Sequence, residues 1–241
     1  MNLLIYKTKS ELLEDLADYI ITIAEKAIAE KDCFNFVLTG GNSPKALYEM
    51  LSATYREKLD WSKVFFFIGD ERNVPPGHES YNGLLAKKSI LDPLNIAADH
   101  IFFVDTTLAP EKAAIEYAKA ITAHFAGADL AFDLILLGMG DDGHTASLFP
   151  GTDILDSKEV TVESVFVEKL DTYRISFTAP LINKAKNIAF LVFGEAKAEA
   201  LKHVIEDNPK NTQLYPSELI DPIDGSVTWF VDSDAAKLLD N

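Results

Sequence analysis

The stretch Phe132 to Pro150, FDLILLGMGDDGHTASLFP, puts a histidine where it could move protons. A largely apolar strand, Phe132 to Leu137, gives way to a turn of Gly138, Gly140, Asp141, Asp142, Gly143, His144 and Thr145. Open α/β sheets present their ligand sites at such strand carboxyl ends. An imidazole titrates near neutrality, so it can take a proton from water, and a neighbouring carboxylate such as Asp142 can position it. The plain alternative is a turn histidine that only caps a helix. Two other chemistries fit less well. His78, His100, His124 and His203 show no metal-ligand spacing, so no metal is expected. A serine-histidine-aspartate triad lacks its nucleophile elbow, because Ser147 lies just after the histidine.

Other strand ends carry groups suited to an anion. Phe34 to Thr39 runs into Gly40-Gly41-Asn42-Ser43-Pro44-Lys45 and then a helix from Ala46 to Arg56. Asn42 or Ser43 is placed to cap that helix. Free N–H groups at its start suit a phosphate, and Gly40 and Gly41 allow close approach to the backbone. The pattern is neither a P-loop nor a dinucleotide fingerprint, and an ordinary tight turn is the alternative. Val64 to Gly69 ends in Asp70-Glu71-Arg72. There Arg72 could hold an anion with a forked pair of hydrogen bonds, and Asp70 could orient a sugar hydroxyl; charged triplets are otherwise solvated clusters. Lys197 follows a strand end at Gly194, in a first helical turn where a cation opposes the helix dipole. An exposed helix lysine is the competing reading there.

The elements that must position these groups alternate. Strands are expected at Leu3–Tyr6, 34–39, 64–69, 101–104, 132–137, 187–193 and 226–231. Helices are expected at Ser10–Glu30, with Ser10 as cap, and at 46–56, 83–90, 110–125 and 195–206. A short C-terminal helix capped by Ser233 closes the chain. Residues 150–178 read as an insert-like excursion, with Val160–Val167 in an antiparallel hairpin with Arg174–Phe177. This order predicts an α/β fold with a mostly parallel sheet covered by helices on both faces, in one domain over 1–241.

Composition narrows the partners. There are 22 basic and 38 acidic residues, a net charge of −16, which argues against nucleic acid and anionic membranes. A small anionic substrate would need local cations or helix N-termini to overcome that field. No apolar run is long enough to span a membrane. The amphipathic, acidic start of the chain predicts no secretory signal, and the single Cys33 predicts a reducing, cytoplasmic setting.

Taken together, Gly40–Lys45, Asp70–Pro75 and Gly138–Gly151 resemble the motifs of the 6-phosphogluconolactonase family. Arg174–Thr178, Gly194-x-x-Lys197-Ala198 and Gly225–Asp232 match it further. The likeness covers nearly the whole chain, and the fourteen residues of the third motif are specific. It implies a Rossmann-like three-layer fold and hydrolysis of 6-phospho-D-glucono-1,5-lactone to 6-phosphogluconate, with no metal or organic cofactor. By position it implies His144 as general base supported by Asp142. Gly41, Asn42, Ser43, Arg72, Arg174 and Lys197 would hold phosphate and sugar, and Asp70 and Asn82 the sugar hydroxyls. The first loop departs from the family's Ser-Gly-Gly-Ser-Thr-Pro, reading Thr39-Gly40-Gly41-Asn42-Ser43-Pro44. Glucosamine-6-phosphate deaminases share the Asp-Gly-His core but continue Gly-His-Ile-Ala-Phe-Asn-Glu-Pro, with a glutamate partner for the histidine. A non-catalytic sugar-phosphate sensor is the third reading.

Overall fold

The computed structural model describes residues 1–126 and 128–240. Its strands are β1 (Asn2–Tyr6), β2 (Phe34–Leu38), β3 (Val64–Ile68), β4 (Asp70–Arg72), β5 (Ile101–Phe102), β6 (Leu134–Gly138), β7 (Val162–Val167), β8 (Thr172–Phe177), β9 (Asn187–Val192) and β10 (Ser226–Asp232). The α-helices are α1 (Lys9–Lys31), α2 (Lys45–Ala53), α3 (Asn82–Ala86), α4 (Asp92–Leu94), α5 (Pro110–His124), α6 (Ala179–Ile182) and α7 (Ala198–Glu206), with a π-helical stretch, Lys87–Leu91, joining α3 to α4. No helix among the described residues is long and apolar enough to cross a membrane.

Seven strands form one parallel sheet in the order β1-β10-β9-β6-β2-β3-β5. Its inner strands β2, β3, β6, β9 and β10 are largely buried because helices cover both faces, whereas the edge strand β1 is mostly exposed. Phe36, Leu38, Phe66, Leu134, Leu136 and Leu191 pack under α1 and α2. Val37, Phe67, Ile135, Leu137 and Phe190 point the other way, toward α5 and α7. The chain moves outward from β2 through β3 to β5, and in the other direction from β6 through β9 to β10. The boundary between β2 and β6 is therefore the switch point, where a crevice opens beyond the carboxyl ends.

Residues 150–178 are not a mere excursion. β7 and β8 form the expected antiparallel hairpin, and β8 also pairs with β4, making a second, three-stranded sheet. Gly69 is the transfer point: its N–H donates to Leu38 O in the large sheet, and its carbonyl accepts from Phe177 N in the small one. Asp70–Arg72 therefore belongs to a different sheet from Val64–Ile68.

Three expected caps move. α1 is capped by Thr8, whose side chain accepts from Glu11 N while Glu11 bonds back, a reciprocal capping box; Ser10 bonds Glu14 instead. Pro44 occupies the cap of α2, and no side chain satisfies its first N–H groups. The C-terminal segment forms a series of turns rather than a helix, and Asp232, not Ser233, accepts the N–H of Ala235.

Candidate active site

Four neighbouring strands, β9, β6, β2 and β3, deliver their carboxyl-end loops to one cleft of about 190 Å³. Gly40, Gly41, Asn42, Ser43, Asp70, Arg72, His144 and Lys197 all line it. A larger hollow of about 940 Å³ lies on the other side of Asp142 and Phe149, between the β7–β8 hairpin and the start of α7. We place the site in the smaller cleft, because there the switch point, the imidazole and the cations coincide.

The loop after β2 is shaped by two glycines. Gly41 adopts φ +87°, which a side chain resists. A Cβ at Gly40 would collide with the Asn82 amide. Tyr48 of α2 holds the loop start, its hydroxyl donating to Thr39 O at 2.8 Å and accepting from Thr39 N at 3.0 Å. The uncapped N-terminus of α2 leaves donors for an anion.

β4 supplies residues to both of its sides. Asp70 reaches the cleft and accepts the Ser147 hydroxyl at 2.7 Å. Glu71 points away and is fully buried. It accepts N–H groups from Arg72, Asn82 and Gly83, pinning the start of α3 to β4. Burial pushes the Glu71 carboxyl up to about 8, against the opposing pull of those three donors. Asn82 is buried behind the loop rather than lining the cleft; its amide donates to Asp70 O at 2.7 Å. In this structure it braces Gly40 and Asp70.

Arg72 lines the cleft and donates to Ser80 O at 3.0 Å. Arg174 stands directly opposite it in the β4–β8 register, outside the cleft-lining set. Like charges facing each other across strands are destabilising. Burial and the Arg72 charge both lower the Arg174 pKa from its usual value. Among the described residues, neither guanidinium forms an ion pair with a carboxylate. Two half-buried cations left together in this way suit a doubly charged anion. Lys197 closes a 3₁₀ turn before α7, and the turn's start is fixed by Gly194 N donating to Asp232.

His144 is held from several sides. Its Nδ1 lies 2.6 Å from Asp142 Oδ1. Its ring stacks on Phe149, with centroids 4.0 Å apart. Its carbonyl accepts from Gly140 N at 2.8 Å. A Cβ at Gly140 would overlap the imidazole and lie 2.6 Å from Asp142 Oδ1, so only glycine fits. Behind the turn, Ser217 donates to Gly143 O from both its N–H and its hydroxyl. Burial alone would raise the Asp142 pKa. Its hydrogen bonds to His144 and Lys169 outweigh this and hold it well below the usual carboxylate range. An ionised Asp142 can only accept, so Nδ1 carries the proton, and in the neutral ring Nε2 is the nitrogen with the free lone pair. That is the tautomer a general base needs.

Two contributors, Lys169 and Ser217, were not singled out by the sequence, and Glu71 was singled out only as part of a charged triplet. Lys169, whose Nζ is 3.1 Å from Asp142 Oδ2, sits in a charged hairpin turn 27 residues away. Ser217 and Glu71 act on backbone groups, which leave no side-chain pattern to read. Phe149 was inside the recognised motif, but its stacking role was not visible there.

Among the described residues, no group of three or more His, Cys, Asp or Glu side chains is placed to hold a metal ion. Residues 7–229 match the family described as glucosamine-6-phosphate isomerases/6-phosphogluconolactonase. The chain is 37% identical over 248 residues to probable 6-phosphogluconolactonase 1 of Arabidopsis thaliana, covering 98% of this chain and 92% of that one. It is 40% identical over 237 residues to the 6-phosphogluconolactonase of Synechocystis sp., covering 96% and 95%. The solved 6-phosphogluconolactonase of Trypanosoma cruzi superposes with a TM-score of 0.85 at 26% identity, covering 100% of this chain and 97% of its own.

Proposed function

The chain belongs to the glucosamine-6-phosphate isomerase/6-phosphogluconolactonase family, and from that premise we propose that it hydrolyses 6-phospho-D-glucono-1,5-lactone with His144 as general base. The observation that carries this reading is the pairing of Nδ1 with Asp142, which leaves Nε2 as the acceptor nitrogen in a cleft ringed by Arg72, Lys197 and the Gly40–Ser43 loop. Nε2 takes a proton from water as its oxygen attacks the lactone carbonyl. The tetrahedral intermediate collapses, the C1–ring oxygen bond breaks, and the imidazolium returns its proton to the departing oxygen. The product is the open-chain 6-phosphogluconate. Positioned acid–base help of this kind contributes about 10²–10⁴ in rate.

Arg72, Arg174, Lys197 and the Gly40–Ser43 loop would take the phosphate and sugar, and Asp70 a hydroxyl. Phe149 supports the lactonase over the deaminase reading. Counting along the motif, it stands where the deaminase pattern has its glutamate, and it stacks on His144. Moving a proton between carbons needs a second acid–base group, which an apolar ring does not supply. The test follows lactone loss at pH 6.5 with wild type and His144→Ala. The variant should lose most turnover yet still bind 6-phosphogluconate; equal rates would remove the base assignment. Ammonia release from glucosamine 6-phosphate would support the deaminase, and binding without turnover by wild type would support the sensor.

A further inference from the structure

We propose that Lys169 is a positioning residue for the dyad: its ammonium holds the second oxygen of Asp142, so that the first stays on His144 Nδ1 and the ring keeps its orientation. This rests on the His144 general-base reading. Asp142 bridges the two, with Oδ1 2.6 Å from His144 and Oδ2 3.1 Å from Lys169. A carboxylate bonded through one oxygen can swing, whereas one bonded through both is fixed.

The lysine is exposed, and an exposed lysine alone would be a weak anchor. Its support is not weak. It lies in the short turn Glu168–Leu170 between β7 and β8, closed by Asp171 in the left-handed region at φ +46°. β8 is tied to β4 through Asp70↔Ser176, Glu71↔Ile175 and Arg72↔Arg174. The hairpin that presents Lys169 to the dyad is therefore the one that holds Arg174 against Arg72.

The surrounding charge explains why a cation is needed there. The hollow beside Asp142 presents Asp141 from the same loop, Asp153, Glu163 and Glu168 from the hairpin side, and Glu199 from α7, with Tyr215 at its edge. Lys169 is the one cation among the residues lining that side. On the cleft side stand Asp70, Arg72 and Lys197. Carboxylates stabilise the imidazolium and draw the base toward its protonated, inactive form. Lys169 offsets this field at the oxygen nearest the dyad without breaking the Asp142–His144 bond.

The experiment compares Lys169→Met and Lys169→Arg with wild type in kcat/KM against pH from 5.5 to 8, with spontaneous hydrolysis subtracted. In Lys169→Met the acid limb should move up by about half a pH unit, a roughly threefold further loss on the acid side. The loss should fall on kcat rather than KM, and the gap should narrow in high salt. Lys169→Arg should restore the limb. A limb that stays in place or moves down overturns the inference, as does a rise in KM with kcat intact. Circular dichroism and thermal midpoints confirm that each variant is folded. His144→Ala in the same assay separates the two claims. If it retains turnover, the general-base reading fails; if it is inactive while the Lys169→Met limb is unmoved, only the role of Lys169 fails.

Discussion

Replacing Asp142 by Asn tests the dyad without enlarging or filling the cleft. The carboxylate makes a 2.6 Å contact with His144 Nδ1 and lies outside the cleft-lining residues. The substitution removes a charge-assisted hydrogen bond, worth about 1.5–3 kcal/mol. That energy supports the imidazolium formed as water is deprotonated, so its loss falls on the transition state. At 1.36 kcal/mol per tenfold, kcat should fall about 10- to 150-fold. An amide can also turn its NH₂ toward Nδ1, which forces the proton onto Nε2 and abolishes the base in that fraction of molecules. KM should change little. The assay is initial-rate lactone hydrolysis at pH 6.5, with product affinity measured separately. The same variant has a signature in stability. Folding holds the Asp142 pKa well below the usual carboxylate range. Such a group contributes stability that is complete above the unfolded pKa and lost as pH falls through the folded one. Wild type should therefore lose part of its stability below about pH 4, a part that Asp142→Asn lacks. A raised KM with unchanged kcat would make Asp142 a substrate ligand and refute the reasoning.

Two further substitutions probe the cleft's walls. Gly140→Ala should abolish most turnover, because the new methyl would occupy the position of the imidazole; product binding measured by calorimetry should survive, since the residues proposed to hold the phosphate are untouched. Arg174→Met should have opposite effects on the free and liganded protein. Relieving the like-charge contact with Arg72 stabilises the free form by about 0.2–1 kcal/mol, a rise in melting temperature of roughly 1–4 °C. The stabilisation conferred by 6-phosphogluconate should shrink and KM should rise; a lower melting temperature for the free variant would show that the arginine pair is not strained.

The centre of the large sheet was readable in the sequence because strands such as β3 and β6 are buried on both faces and appear as apolar runs. The small sheet was not. β4 is three residues long and charged, and its partner β8 lies a hundred residues on. Nothing local distinguishes Asp70–Arg72 from the end of β3, and only the hydrogen bonds of Gly69 reveal the transfer. The displaced helix cap has a similar cause. Thr8 and Ser10 both offer hydroxyls, and the reciprocal partner Glu11 lies three residues after Thr8. The spacing that selects Thr8 was present, but Ser10 stands closer to the first apolar residues.

Residues on one short loop were legible as chemistry; the contacts that make them rigid were not, because those come from distant chain. Ser147 illustrates the difference. Near a histidine, its hydroxyl reads first as a failed nucleophile. In the fold it donates to Asp70 on β4, while its N–H donates to Ser176 Oγ on β8. Thr145 donates to Gly138 O within the turn, and Ser217 clasps Gly143 O from near the C-terminus. The imidazole loop is thus fastened to the small sheet, to its own strand and to a remote turn. Preorganisation of this kind would let the proposed base act without reorganising as charge develops. It also explains why so many small hydroxyl residues surround one histidine: each ties down backbone or a carboxylate, and none needs to react.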